Sequence, residues 1–194
     1  NDPQVSPGFV AEVETGGVSK YTPENYRGHV NHVEWVDSKN LLYASGEGVY
    51  PKLYSVNLGN SKPKLLMDAK ESGLIFSSPN FTSGFKQVVF SASTPIDRGN
   101  LYYWNGKEAP VRLTDINPEL AEKTLGKQEV IRYRARDGVE IEGLLIHPVD
   151  YREGQTYPLI VYVHGGPESH HSNGWLSRYS TPAQVMAGKG YLVM

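Results

Sequence analysis

Leu159-Ile160-Val161-Tyr162-Val163-His164-Gly165-Gly166-Pro167 is the stretch on which the reading of this chain turns. Its first five residues form an unbroken apolar, largely β-branched run. Such a run predicts a strand buried on both faces of a largely parallel sheet, since a half-exposed strand would alternate with polar residues. His164-Gly165-Gly166 then leaves the carboxyl end of that strand, where open α/β sheets bind ligands. Two successive glycines let backbone N–H groups approach a reacting atom that a Cβ would hold off. The competing reading is a tight turn without chemistry.

Downstream, Thr181-Pro182-Ala183-Gln184 reads as a capping box with proline in the first turn of a helix that Gly188 can stop, and Tyr191-Leu192-Val193-Met194 opens another buried strand. Natural domains rarely stop inside a strand, so the parent protein is expected to continue. Upstream, Val130-Ile131-Arg132-Tyr133-Arg134-Ala135 and Val139-Glu140-Ile141-Glu142-Gly143-Leu144-Leu145-Ile146 flank Arg136-Asp137-Gly138, an Asp-Gly hairpin signal. Before them, Asn117-Pro118-Glu119-Leu120-Ala121-Glu122-Lys123 reads as a short linking helix with asparagine at its cap and proline at its first position.

The first 116 residues have a different character. Strand, polar turn and second strand recur from Phe9, Leu53 and Leu101, whose spacings of 44 and 48 residues are close to the period of four-stranded propeller blades. Further strands fall between them at Val33–Val36, Leu41–Ser45, Leu74–Ser77 and Gln87–Ser91, joined by Asp37-Ser38-Lys39-Asn40 and Thr82-Ser83-Gly84. Little more than two blades are visible, and a blade cannot bury both faces alone, so closure is expected from sequence outside this chain. A generic antiparallel sandwich or meander is the alternative.

Bulk properties narrow the classes. With 194 residues and 39% apolar content the chain can build a core, and thirteen tyrosines, twenty glycines and thirteen prolines fit many short strands joined by turns. Nineteen basic against twenty-one acidic residues, without long runs, give no nucleic-acid footprint and no polybasic membrane patch. No cysteine means no disulfide, thiolate site or cysteine nucleophile, which fits cytosol and periplasm alike. Asn1-Asp2-Pro3-Gln4 carries no basic segment leading into an apolar one.

In order, Arg136-Asp137-Gly138, Gly143-Leu144-Leu145-Ile146-His147-Pro148, Tyr157 through Pro167 and Ala187 through Met194 resemble the hydrolase entry of the prolyl oligopeptidase family of serine peptidases, with blades upstream. Histidine rather than tyrosine before the two glycines is similar to its acylaminoacyl-peptidase and dipeptidyl-peptidase-5-like branches. The resemblance implies a mixed fold: residues 1–116 as the C-terminal blades of a β-propeller, 117–127 as linker and 128–194 as the opening of an α/β-hydrolase domain. It implies a parent that hydrolyses short peptides by a Ser-His-Asp mechanism without cofactor or metal. Its partners would be a peptide substrate and the remainder of its own polypeptide, not nucleic acid or membrane. His164, Gly165 and Gly166 would form the oxyanion loop, with one of its N–H donors. The Gly-x-Ser-x-Gly elbow that holds the nucleophile occurs nowhere in the 194 residues. The family's Asp and His follow that serine, so the chain alone is expected to be inactive. A non-catalytic propeller protein with a decayed hydrolase domain and a carboxylesterase are the alternatives.

Other candidates are weighed by chemistry. Trp175, on the loop beyond the glycines, either lines a substrate pocket or packs. His170-His171 with Glu168 has metal-ligand side chains, but adjacent histidines on a polar loop are usually solvated. His29 and His32, three apart on a strand, are expected on opposite faces. Trp35, Trp104 and the alternating tyrosines are expected in the core. Asn80-Phe81-Thr82 is a glycosylation sequon by pattern.

Overall fold

The computed structural model describes residues 5–60, 62–82, 84–166 and 169–194. A hairpin, β1 (Phe9–Ala11) and β2 (Val18–Lys20), precedes two four-stranded sheets. The first runs β3 (His29–Trp35), β4 (Asn40–Glu47), β5 (Tyr50–Asn57) and β6 (Lys62–Asp68). After the single-turn α1 (Ala69–Ser72), the second runs β7 (Ile75–Phe81), β8 (Val88–Thr94), β9 (Asp97–Trp104) and β10 (Val111–Arg112). Both are antiparallel meanders in sequence order. Short turn chemistry makes this possible: the Asp37 carboxylate accepts from the Lys39 and Asn40 amides at 2.8 and 2.9 Å, closing the β3–β4 turn. Gly48, at φ +61°, supplies the left-handed residue between β4 and β5.

The sheets stack face against face. Ala44, Leu53 and Met67 of the first share one buried cluster with Phe76, Val88, Phe90, Tyr102 and Trp104 of the second. Its opposite face, through Leu41, Tyr43 and Val56, buries Tyr21 and Val10 beside the hairpin. Each such side chain taken from water contributes roughly 1.5–3 kcal/mol, so stacking, not strand propensity, holds the sheets in place. The described residues form no closed ring, and the far face of the second sheet keeps Val89, Leu101 and Val111 exposed. Trp104 is buried as expected, but Trp35 is 55% exposed: it ends β3, an edge strand of its sheet, outside the cluster that Tyr21 and Val10 form on that face.

A one-turn 3₁₀ helix at Pro118–Glu122 leads to the last sheet; Asn117 precedes it without a side-chain cap bond, contrary to expectation. The sheet contains β11 (Gln128–Arg134), β12 (Glu140–Ile146), β13 (Leu159–Ile160) and β14 (Leu192–Val193), in spatial order β11-β12-β14-β13. The Asp-Gly hairpin forms as expected, with Gly138 at φ +87°. β13 and β14 are parallel and joined through α2 (Ala183–Gly188), a βαβ crossover. The Tyr162 amide extends their ladder to the Met194 carbonyl at 2.6 Å.

Two expectations change here. Leu159, Val161 and Val163 are 52%, 49% and 87% exposed, so the run is not buried on both faces. Only its alternate residue Tyr162 packs against Ile146, Ala183 and Val193. β13 is an end strand of the sheet, and no described residue lies over its other face. Nor is Gln184 a capping-box partner: Pro182 precedes α2 without a side-chain cap bond. Instead Gln184 bonds the Gly126 amide (2.8 Å) and carbonyl (3.1 Å), 58 residues earlier in the chain.

The start of β11 is also tied to the end of β12. His147, 9% exposed, meets Glu129 Oε1 through Nε2 at 2.8 Å. That bond, with Lys127 at 3.3 Å, holds the Glu129 carboxyl below its ordinary pKa despite some desolvation. A lowered folded pKa means the contribution is present above the unfolded value of about 4.3 and is lost as pH falls through the lower folded value. The melting temperature of Glu129→Gln is therefore expected to fall less than that of wild type as pH drops below about 4.3; equal losses would exclude this tie as a contributor.

Candidate active site

The loop between β13 and α2 carries the residues singled out by sequence. His164, Gly165 and Gly166 are exposed at the carboxyl end of β13, as expected; Pro167 lies outside the described residues. His164 Nδ1 is 2.9 Å from the Gly165 carbonyl oxygen. A carbonyl can only accept, so the proton sits on Nδ1, and the imidazole braces its own loop. A Cβ built on Gly165 meets nothing within 4 Å, and its φ lies outside the left-handed range. Neither crowding nor backbone strain therefore demands glycine at 165; what its small size provides is open space beside the amides.

Beyond the glycines the loop is fastened to three sheets. The Asn173 amide donates to the Val49 carbonyl at 2.8 Å, and its side chain donates to the Tyr50 hydroxyl at 3.1 Å. Gln128 Nε2, at the start of β11, donates to Asn173 Oδ1 (2.9 Å) and to the Gly174 carbonyl (3.0 Å). Gly174 rests on β7 and β8 so closely that a Cβ there would stand 2.4 Å from Ser93 Oγ and 3.2 Å from Ile75 Cβ. None of Gln128, Asn173 and Tyr50 was visible as a site residue in the sequence. They are ordinary polar side chains in distant segments, and only the glycine hinted at a close approach.

Two cavities flank the loop. One of about 440 Å³ lies between Gly48 and Val49 of the β4–β5 turn, Glu142 and Leu144 of β12, and His164, His170 and His171. The other, about 250 Å³, is bordered by His164, Gly165, His171, Trp175, Arg178 and Thr181. Trp175 is half-buried, with its indole N–H donating to the Ser177 carbonyl at 2.6 Å. It is held by packing and hydrogen bonding and borders a cavity shared with the glycine loop.

The histidines do not gather as metal ligands. Glu168 lies outside the described residues, and among the described residues no group of three or more ligating side chains converges. His170 instead stands against β4, its Cε1 3.1 Å from where a Gly46 Cβ would be. Burial first, then repulsion from His29, His164 and His171, holds its pKa below the ordinary imidazole value. His171 is lowered likewise, by burial and then by His164 and Arg178. His29 and His32 correct an expectation: a bulge between Val30 and His32 pairs them with Gly46 and Ala44, two residues apart, and so puts them on one face. Asn80 is exposed in β7, its side-chain amide donating to the Ser78 carbonyl at 3.0 Å.

No family model matches the chain. Among curated proteins it is 27% identical over 173 residues to the probable dipeptidyl-peptidase 5 of Aspergillus flavus, covering 85% of this chain and 23% of that protein. It is 25% identical over 193 residues to the dipeptidyl-peptidase 5 of Porphyromonas gingivalis, covering 96% and 26%. Among solved structures it resembles an acylaminoacyl peptidase from Pyrococcus horikoshii, with a TM-score of 0.70 and 21% identity over 92% of this chain and 26% of that one. The chain thus spans about a quarter of the length of these relatives, and its β-rich fold is shared with the peptidase structure.

Proposed function

From the premise that this chain belongs to the prolyl oligopeptidase family of peptidases, we propose that its parent hydrolyses short peptides through a serine nucleophile, with this chain supplying the oxyanion loop. Residues 1–116 are the terminal blades of a propeller, 117–127 the linker and 128–194 the opening of an α/β-hydrolase domain. The observation that carries the reading is the His164-Gly165-Gly166 loop: it leaves the carboxyl end of a parallel strand, borders two cavities and keeps open space beside Gly165. The face-to-face meanders support the blade assignment. The antiparallel hairpin followed by a βαβ crossover supports the hydrolase assignment.

In the proposed chemistry, attack on a peptide carbonyl moves negative charge onto its oxygen. An amide fixed in the loop, most directly that of Gly166, stabilises this charge more in the transition state than in the ground state. The second donor, the nucleophile and its base come from the remainder of the polypeptide. Ser172 Oγ lies 3.4 Å from His170 Nε2, but no carboxylate among the described residues orients that imidazole as a triad requires. The peptide reading is favoured over a carboxylesterase by the stacked meanders and by the peptidases among the relatives.

The test compares full-length parent with this chain. The parent should hydrolyse peptide-linked chromogenic substrates, which a carboxylesterase would leave intact, and take a fluorophosphonate label at one serine. This chain alone should hydrolyse neither and take no label, because nucleophile and base are both missing. A labelled serine within these 194 residues overturns the division of labour, and an unlabelled, inactive parent favours the binding-protein alternative.

A further inference from the structure

The smaller cavity beside the glycine loop is bordered by one fixed cation, Arg178. Arg178, His164 and His171 border it together with Ser169, Ser180 and Thr181, and among the described residues no acidic residue does. The Arg178 backbone is fixed: its amide donates to the Thr181 carbonyl at 3.0 Å, the Thr181 amide returns to the Arg178 carbonyl at 3.2 Å, and Ser177 bridges Pro182 outside that turn. Its guanidinium, by contrast, enters no ion pair among the described residues. Arg112 reaches Asp97 and Asp115, and Arg132 reaches Glu140 and Glu142. An exposed planar guanidinium on a fixed turn, bordering the same cavity as the Ser180 and Thr181 hydroxyls and Trp175, can receive a planar anion in two parallel bonds.

We propose that the cavity bordered by Arg178, His164 and His171 takes a carboxylate of the substrate, an inference that rests on the active-site reading of the neighbouring glycine loop. Because His164 and Gly165 border both the loop and this cavity, the carboxylate lies close to the bond being cleaved. His171 is held toward its neutral form, first by burial and then by His164 and Arg178, so the fixed positive charge offered to the carboxylate is that of Arg178. The carboxylate has two sources in a peptide: an acidic side chain or the free C-terminus.

Binding to the full-length parent is measured calorimetrically with 3-phenylpropionate and its uncharged counterpart 3-phenylpropanol, neither of which needs turnover. The acid is expected to bind about tenfold more tightly, and Arg178→Gln to remove that preference while Arg178→Lys keeps part of it. Equal binding of the two probes, or a preference that survives in Arg178→Gln with unchanged melting temperature, overturns the proposal. If the probes discriminate as expected but the parent cleaves no peptide, the anion site stands and the peptidase reading falls. Where the parent does cleave, kcat/KM for Glu against Gln peptides reads the side-chain source, and free against amidated peptides the C-terminal source. No preference in either pair overturns the assignment to substrate.

Discussion

Replacing Gly166 by valine in the full-length parent is expected to lower kcat by about a hundred- to a thousand-fold, the usual cost of losing one oxyanion donor. A β-branched side chain at the second glycine would misplace the amide and hold a carbonyl oxygen away from it. Substrate binding should change less than turnover, because the bond in question strengthens as the tetrahedral oxyanion forms. His164→Ala should cost less. Its imidazole spends Nδ1–H on the Gly165 carbonyl at 2.9 Å, which braces the loop rather than aiming a donor at the substrate. Both variants are read by kcat after their melting temperatures are shown to match wild type. Near-normal turnover in folded Gly166→Val removes the oxyanion assignment and leaves the loop as a turn.

Gln184→Met is expected to destabilise the fold by roughly 2–4 kcal/mol, because two buried backbone groups lose their partners and each unsatisfied group costs about 1–3 kcal/mol. Gln184 is 8% exposed and joins the first turn of α2 to the linker, bonding both the amide and the carbonyl of Gly126. Methionine keeps the length of the side chain but can satisfy neither group. Water has no easy route in: a Cβ on Gly126 would already overlap the His147 carbonyl oxygen and stand 3.0 Å from Ala187 Cβ. Val185→Ala, at a neighbouring exposed position of the same helix, is the control and should change stability by no more than about 0.5 kcal/mol. Denaturant midpoints compare the two, and equal effects would show that the Gly126 bonds contribute nothing specific.

Much of the architecture was legible from local pattern. Strands at β5, β8 and β9 follow alternation between turn residues, and Asp137-Gly138 closes its hairpin because glycine admits the positive φ the turn needs. The glycine loop fell where an apolar run met His164. What the pattern misjudged were cases in which a neighbour decided the outcome. Gln184 fits a capping box by spacing, yet its amide serves Gly126 because the linker passes beside it. His29 and His32 obey strand parity in sequence, but one bulged residue reverses it. Trp35 is large and apolar, yet exposed, since it sits at the end of an edge strand outside the cluster packed on that face.

By itself, then, the sequence determined element type and the position of the glycine loop. Both depend on interactions a few residues long: side-chain periodicity, glycine's backbone freedom and the chemistry of turns. It also excluded cysteine chemistry and the serine elbow outright, by absence of the residues. Only the tertiary structure decided that Asn173, Gln128 and Tyr50 fasten the loop, that Trp175 borders a cavity with Gly165, and that Arg178, His164 and His171 line one cavity with no acid among the described residues. These groups lie on separate elements, with as many as 123 residues between Tyr50 and Asn173. No local preference encodes such meetings; they follow from which faces the stacked sheets bury and where that leaves the connecting loop.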